Sequence, residues 1–245
     1  MSSISKIQSL LTACNATTGQ SRTDLTAGVQ DLVDGYGGST VTKGLVFSEY
    51  DSNGYPTKAR FVGSWTSMPA NYCHTLFWSN LVFTKNITSL SIPDTVTSIG
   101  GGLCENCKTL ESVEFPNNNL SSIAQNAFNE CNALKKINIK GDVRFAGAGV
   151  FKNCKKATEV TIGGTISTSG GIANNCFNGC VLVELYDFSH CAAIPSLYSV
   201  ASLQYKSGCV IKIPSALSDT TLGTGNGWES ASNWVGLTNI TWQVV

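Results

Sequence analysis

The chain has 245 residues, a formal net charge of zero and only 13% charged residues, about half the usual share. Neutrality excludes a global field that would recruit nucleic acid or an anionic membrane, and no apolar run approaches the ~18 residues of a membrane span. Met1 to Cys14 lacks the basic start, long apolar run and small-residue cleavage site of a secretory leader, so another export route, or release by lysis, is expected.

Residues 1–39 read as two short helices. Ile4, Ile7, Leu11 and Cys14 fall on one face at helical spacing, and Val29, Leu32, Val33 and Tyr36 do so after a turn at Asn15 to Ser21. Gly35 and Gly37-Gly38 end the second helix. Such narrow stripes are marginal alone and need something to pack on: each other, the solenoid end or a partner chain. Residues 40–86 read as a hairpin and cap. Gly44 to Tyr50 and Thr57 to Gly63 flank a turn at Asn53-Gly54, and Trp65, Tyr72, Phe77, Trp78 and Phe83 resemble a decayed first coil.

Residues 87–215 carry one pattern written several times. Its strand core, Ile92, Phe115, Ile139, Ile162 and Leu185, steps by 23 or 24 residues. A second apolar position follows at Ile99, Ile123 and Phe145, then a slot holding Cys104, Phe128, Phe151 and Phe177, and a closing Cys107, Cys131, Cys154 and Cys180. A period in the twenties predicts a solenoid whose units bury their apolar faces against their neighbours. Fifth and sixth coils start at Leu185 and Cys209. Residues 216–245 read as a cap, with small helical segments at Ala216 to Asp219 and Trp228 to Trp234 and a closing strand from Ile240 to Val245.

The chain has ten cysteines, but the recurring ones occupy one position per coil. Side chains stacked in register point the same way, whereas a disulfide needs facing Cβ vectors. The spacing therefore predicts small buried thiols rather than bridges. Cys104 and Cys107 spell C-x-x-C without a converging second pair, so no metal site is expected.

The repeat L-x-I-P-x-x-V-x-x-I-G…A-F-x-x-C, over roughly residues 75–215, resembles the BspA-type leucine-rich repeat of bacterial surface proteins and of many phage and gut-microbe proteins. The ending I-K-I-P-S-A-L…W-x-x-A-x-N-W is similar to the way such arrays close. Cys104 in place of phenylalanine, and the glycine-rich coil from Gly163 to Gly171, depart from the pattern. The opening L-L-T-A-C-N-A-T-T-G-Q-S-R-T-D-L-T-A-G-V-Q-D-L-V-D-G-Y-G-G resembles the N-terminal module of phage virion and tail-associated proteins. Together these resemblances imply an attachment or oligomerisation helix pair in residues 1–39, followed by a mainly β leucine-rich-repeat solenoid with short helices and capped ends, displayed for recognition.

No residues suggest catalysis. His74 and His190 are the two histidines, one near each end of the array, and read as packing and turn residues. Acidic residues are scattered without a pair at glycosidase spacing, and the glycine pairs lack a phosphate-loop pattern. No enzyme activity and no cofactor is expected. Binding is the more natural task. Strand alternation puts Ser91, Glu114, Asn138, Thr161, Glu184 and Lys212 in one outward stripe, where repeat proteins hold partners; ordinary solvated positions are the alternative. Lys135, Lys136, Lys140, Arg144, Lys152, Lys155 and Lys156 are opposed locally by Asp142 alone, so stacking could gather a basic patch for an anionic polymer or acidic partner, or simply a solubilising face. The expected partners are a protein or cell-surface glycan and, through residues 1–39, other virion subunits, with no nucleic acid or membrane and with homo-oligomers allowed. The expected setting is a phage particle surface contacting a bacterium, with a bacterial cell-surface adhesin and a purely structural virion subunit as alternatives.

Overall fold

The computed structural model describes residues 44–73, 86–117, 120–166, 171–222, 225, 227–231 and 233–245. The helices expected within residues 1–39, and His74, Phe77, Trp78 and Phe83, lie outside the described residues. The chain divides into two units, Met1–Gly44 with Val62–Ser64 and Leu45–Phe61 with Trp65–Val245; the architecture below is that of the second.

β1 (Gly44–Tyr50) and β2 (Pro56–Val62) form the expected hairpin. Its turn is closed by the Gly54 amide on the Asp51 carbonyl, at 2.9 Å. Asp51 Oδ1 also accepts from the amides of Asn53 at 2.8 Å and Tyr55 at 3.0 Å, a side-chain mimic of a backbone turn. These bonds, Tyr55 first, hold the Asp51 carboxyl below its ordinary range.

The following coils contribute a strand to one side, turns to a third, and to a second side short strands that the later coils continue only through single bridges, Val143 with Ile166 and Ile172 with Leu197. On the first side β2, β4 (Ser89–Ser91) and β6 (Ser112–Glu114) run parallel, as do β8 (Lys136–Ile139), β10 (Glu159–Ile162), β11 (Leu185–Asp187), β12 (Cys209–Ile213) and β13 (Ile240–Val244). The hairpin's second strand thus enters the ladder, with Ala59 opposite Leu90. The second side stacks β3 (Ser67–Met68), β5 (Ser98–Ile99), β7 (Ser122–Ala124) and β9 (Arg144–Ala146). Turns on the third side are also bonded from coil to coil. The amides of Cys104, Phe128, Phe151 and Phe177 reach the carbonyls of Ala127, Val150, Cys176 and Ser202 at 2.7–2.9 Å. All three sides therefore satisfy main-chain groups in the next coil, which lets so polar a composition fold without long elements.

The core is a set of ladders. Leu90 lies opposite Val113, and Ile137, Val160, Tyr186, Ile211 and Trp242 continue the row. The landmark positions Ile92, Phe115, Ile139, Ile162, Ile99, Ile123 and Phe145 are all buried. Leu185 is the exception. It is half-buried at the strand start, and Tyr186 and Phe188 take the inward places. The step from Val160 to Tyr186 is 26 residues instead of 23, because extra residues between Gly163 and Cys180 delay the strand. Phe128, Phe151 and Phe177 stack with ring centroids 5.3 and 5.6 Å apart and planes within 9°, while Phe115 and Phe145 meet Phe151 edge-on at 6.1 and 6.3 Å.

Two turn positions per coil are left-handed. Gly102, Asn126, Gly149 and Asn175 precede the aromatic slot, and Asn106, Glu130, Asn153 and Gly179 precede the closing cysteine, all with φ between 55° and 82°. This is why the repeat writes glycine or asparagine there. Gly179 has φ +82°, and a Cβ on it would sit 2.2 Å from Asn153 Oδ1. Gly179→Ala is expected to destabilise the protein by about 2 kcal/mol or more, from the left-handed backbone and the displaced carboxamide. Urea unfolding checks this, and a change below about 0.5 kcal/mol would count against the turn geometry.

The nine described cysteines are free and buried, as their spacing predicts. Cys131, Cys154 and Cys180 donate from Sγ to the carbonyls of Cys104, Phe128 and Phe151 in the preceding coil, at 3.1, 3.5 and 3.2 Å. The position needs a small side chain carrying one weak donor, and cysteine supplies both.

The array closes on aromatic residues. Trp228 and Trp234 are 0% and 1% exposed, and Trp234 Nε1 donates to the Pro195 carbonyl at 2.9 Å. Of the two segments expected to be helical, Ala216 to Asp219 falls on a 3-10 turn (Ser215–Leu217) and α1 (Asp219–Leu222), whereas the described residues around Trp228 and Trp234 form turns. Both indoles point into the core, and Asn233 takes φ 67°, which a helix does not permit. Asp219 and Glu229 tie the cap together through Ser218, Gly227 and Ser230. β13, the expected closing strand, pairs parallel with β12.

Candidate functional site

Alternation along the first side sends every second residue outward, and register lines these residues up. Ser91 lies opposite Glu114, and Asn138 opposite Thr161. Thr161 then faces Asp187, and Asp187 faces Lys212. Arg60 precedes Ser91, and Gln243 follows Lys212. Five of the six expected stripe residues therefore hold their places. Glu184 does not. It precedes β11, its Oε1 pairs with Lys206 Nζ at 2.5 Å, and Asp187 occupies the stripe because of the same longer fourth coil. Lys212 lies 3.7 Å from Asp187.

The outer face is not uniform. The first-side sheet parts between β6 and β8, and there a groove of about 520 Å³ is lined by Ser91, Asp94, Glu114, Asn117, Asn138 and Lys140, among others. Asp94, Asn117 and Lys140 are one repeat apart and form a polar ladder. Asn117 donates to Asp94 from its amide at 2.8 Å and from Nδ2 at 2.9 and 2.8 Å, and Lys140 Nζ donates to Asn117 Oδ1 at 2.6 Å. The Asn117 bonds, main chain first, with Lys140 adding a smaller effect, hold the Asp94 carboxyl below its ordinary range. The spacing of 23 residues between these three could have revealed the ladder in the sequence.

The expected basic patch is dispersed. Lys135 is paired with Glu111, and Lys136 with Glu159 at 2.7 Å. Lys135 and, more weakly, Lys156 hold the Glu111 carboxyl below its ordinary range. Lys140 belongs to the groove, Arg144 to β9 on the second side, and Lys152 and Lys155 to the turns around Cys154. A run of lysines along a coil is carried round its sides, and the compensating carboxylates come from neighbouring coils.

His190 sits in an exposed turn. Ser189 Oγ donates to Asp187 Oδ1 at 2.6 Å and lies 3.1 Å from His190 Nδ1. The carboxylate holds the hydroxyl directly and the imidazole does not stand between them, so the three lack the order of a nucleophile, base and orienting acid. Among the described residues no group of three His, Cys, Asp or Glu side chains is placed to hold a metal ion, and no helix is long and apolar enough to cross a membrane.

Parallel coils in register, a buried apolar residue at each landmark and a polar outer stripe define a leucine-rich-repeat solenoid. Residues 79–200 match the model of the BspA type leucine rich repeat region in six copies. No curated protein matches the chain. Similar solved structures include the leucine rich repeat protein of T. pallidum, 15% identical over 71% of this chain and 86% of that one, with a TM-score of 0.32. A leucine-rich repeat protein of Bacteroides ovatus ATCC 8483 is 16% identical over 74% of this chain and 56% of its own, with a TM-score of 0.31. A leucine rich cell surface protein of Faecalibacterium prausnitzii A2-165 is 13% identical over 80% and 92%, with a TM-score of 0.19. The phage-like opening falls on residues 1–39, outside both the described residues and the matched region.

Proposed function

We propose that this is a non-enzymatic recognition protein whose first-side outer face holds a protein or a cell-surface glycan. One observation carries the reading: two register-aligned outward rows, Ser91 with Glu114 and Asn138 with Thr161, Asp187 and Lys212, meet at a polar groove where the sheet parts. Donors and acceptors at a fixed coil spacing suit an extended polar partner. In this reading residues 1–39 attach the array to a larger particle. Their resemblance to phage virion and tail-associated modules favours display on a phage contacting a bacterium; the repeat family equally supports a bacterial surface adhesin.

The test uses the labelled full chain on bacterial cells and on phage particles, beside the triple variant Glu114→Ala, Asn138→Ala, Thr161→Ala. The wild type is expected to bind one of the two at least tenfold more tightly than the variant, a loss of about 1.4 kcal/mol or more. Equal binding by both chains, or none by either, would sink the reading. Retention on cells alone points to the adhesin, and incorporation into particles to the virion component.

A further inference from the structure

Among the described residues, β13 is an edge strand that nothing blunts. β13 ends the order β13-β12-β11-β10-β8. The Val245 amide donates to the Ile213 carbonyl at 3.0 Å, and the Val245 carbonyl accepts from Ser215 at 2.7 Å. In a parallel ladder, alternate residues turn their amide and carbonyl to the same neighbour, so Thr241 and Gln243 also face β12. Ile240, Trp242 and Val244 then present theirs to the open side, where they have no partner among the described residues. Edge strands are normally protected by lysine, proline, a bulge or a covering segment. Here the strand reads I-T-W-Q-V-V, and no charged residue occurs from Ser230 to Val245. The register with β12 is unbroken, and Val244 and Val245 are 38% and 53% exposed.

We infer that a second copy of this chain adds its own β13 antiparallel to this edge, joining the two five-stranded sheets into one. The strand is compatible with its own reversed copy. A two-fold axis at Trp242 sets Ile240 against the partner's Val244, Trp242 against the partner's Trp242, and Thr241 against the partner's Gln243. Residues 240, 242 and 244 become the hydrogen-bonded pairs, the ones whose main-chain groups already face outward. No like charges meet, and β-branched and aromatic side chains pair well across antiparallel strands. A charged partner strand would find no counter-charge on this edge. The seam is short, which places the dimer among weak, concentration-dependent associations.

The test measures mass by light scattering at tens of micromolar for the full chain, for Val244→Pro and for the double variant Thr241→Lys, Gln243→Lys. Proline at 244 removes an outward amide and leaves the bonds to β12 intact. The two lysines face each other across the seam. Both variants are expected to have half the mass of the wild type, with unchanged circular dichroism. If the wild type and the double-lysine variant agree in mass, whatever that mass is, the inference fails. The lysine variant decides the matter should the proline variant lose structure, since Thr241 and Gln243 are exposed side chains.

Discussion

Phe151→Ala is expected to destabilise the protein by about 3–5 kcal/mol, the range for an aromatic residue removed from a core that cannot close over the gap. Phe151 is 0% exposed and stacks between Phe128 and Phe177, while Phe115 and Phe145 meet its ring from the sides. The coil cannot collapse into the cavity, because main-chain bonds on its third side tie Phe151 to Cys176 and Phe128 to Val150. In a solenoid each coil is stabilised by its two neighbours. The cavity therefore weakens two interfaces at once, and the single unfolding transition is expected to broaden or split. Urea unfolding followed by circular dichroism and, in a Trp65→Phe, Trp78→Phe background, by tryptophan fluorescence separates the halves, since Trp228, Trp234 and Trp242 then report on the last coils. A loss below about 1 kcal/mol, an ordinary point-mutation effect, would show that the aromatic stack is not what couples the coils.

Stability is expected to fall steeply above pH 9. Burial pushes the thiols of Cys104, Cys131, Cys154 and Cys176 well above their ordinary range, and those of Cys191 and Cys209 up to about 11. In the unfolded chain the same thiols ionise near 8.5. Above that pH the unfolded chain has released protons that the native state keeps, so it is the state favoured by further alkali. Each fully buried thiol adds a slope of up to about 1.4 kcal/mol per pH unit. Burial also raises the Tyr186 hydroxyl, which extends the effect beyond pH 10. The stability should be flat from pH 7 to 8 and should fall by several kcal/mol before pH 10.5. Urea midpoints under reducing conditions measure it. A flat profile to pH 10.5 would mean that the thiols reach solvent in the native state.

Much of the fold was legible because a solenoid writes each structural position once per coil. The positions of Ile92, Phe115, Ile139 and Ile162, the second apolar row and the aromatic slot could be read from spacing alone, and all are buried. The turn code was legible as well, since glycine or asparagine recurs where the backbone is left-handed; Glu130 breaks that code and still adopts φ 62°. Where the period slips, the reading slipped with it. Extra residues after Gly163 moved the stripe from Glu184 to Asp187, and counting 23 from Thr161 could not foresee it.

By itself the sequence determined, for the coils that keep the period, which residues face inward and how many residues a coil takes, and it determined the free state of the recurring cysteines. Those follow from alternation and periodicity, which are properties of the chain read one coil at a time. Tertiary structure alone decided which side chains from different coils meet. Glu111 and Glu159 neutralise lysines 24 and 23 residues away, the sheet parts between β6 and β8 to open the groove, and Trp228 and Trp234 abandon helical spacing to cover the last layer. Contacts of this kind depend on how one coil registers on the next, and that register is set by packing across the core rather than by any local run of residues.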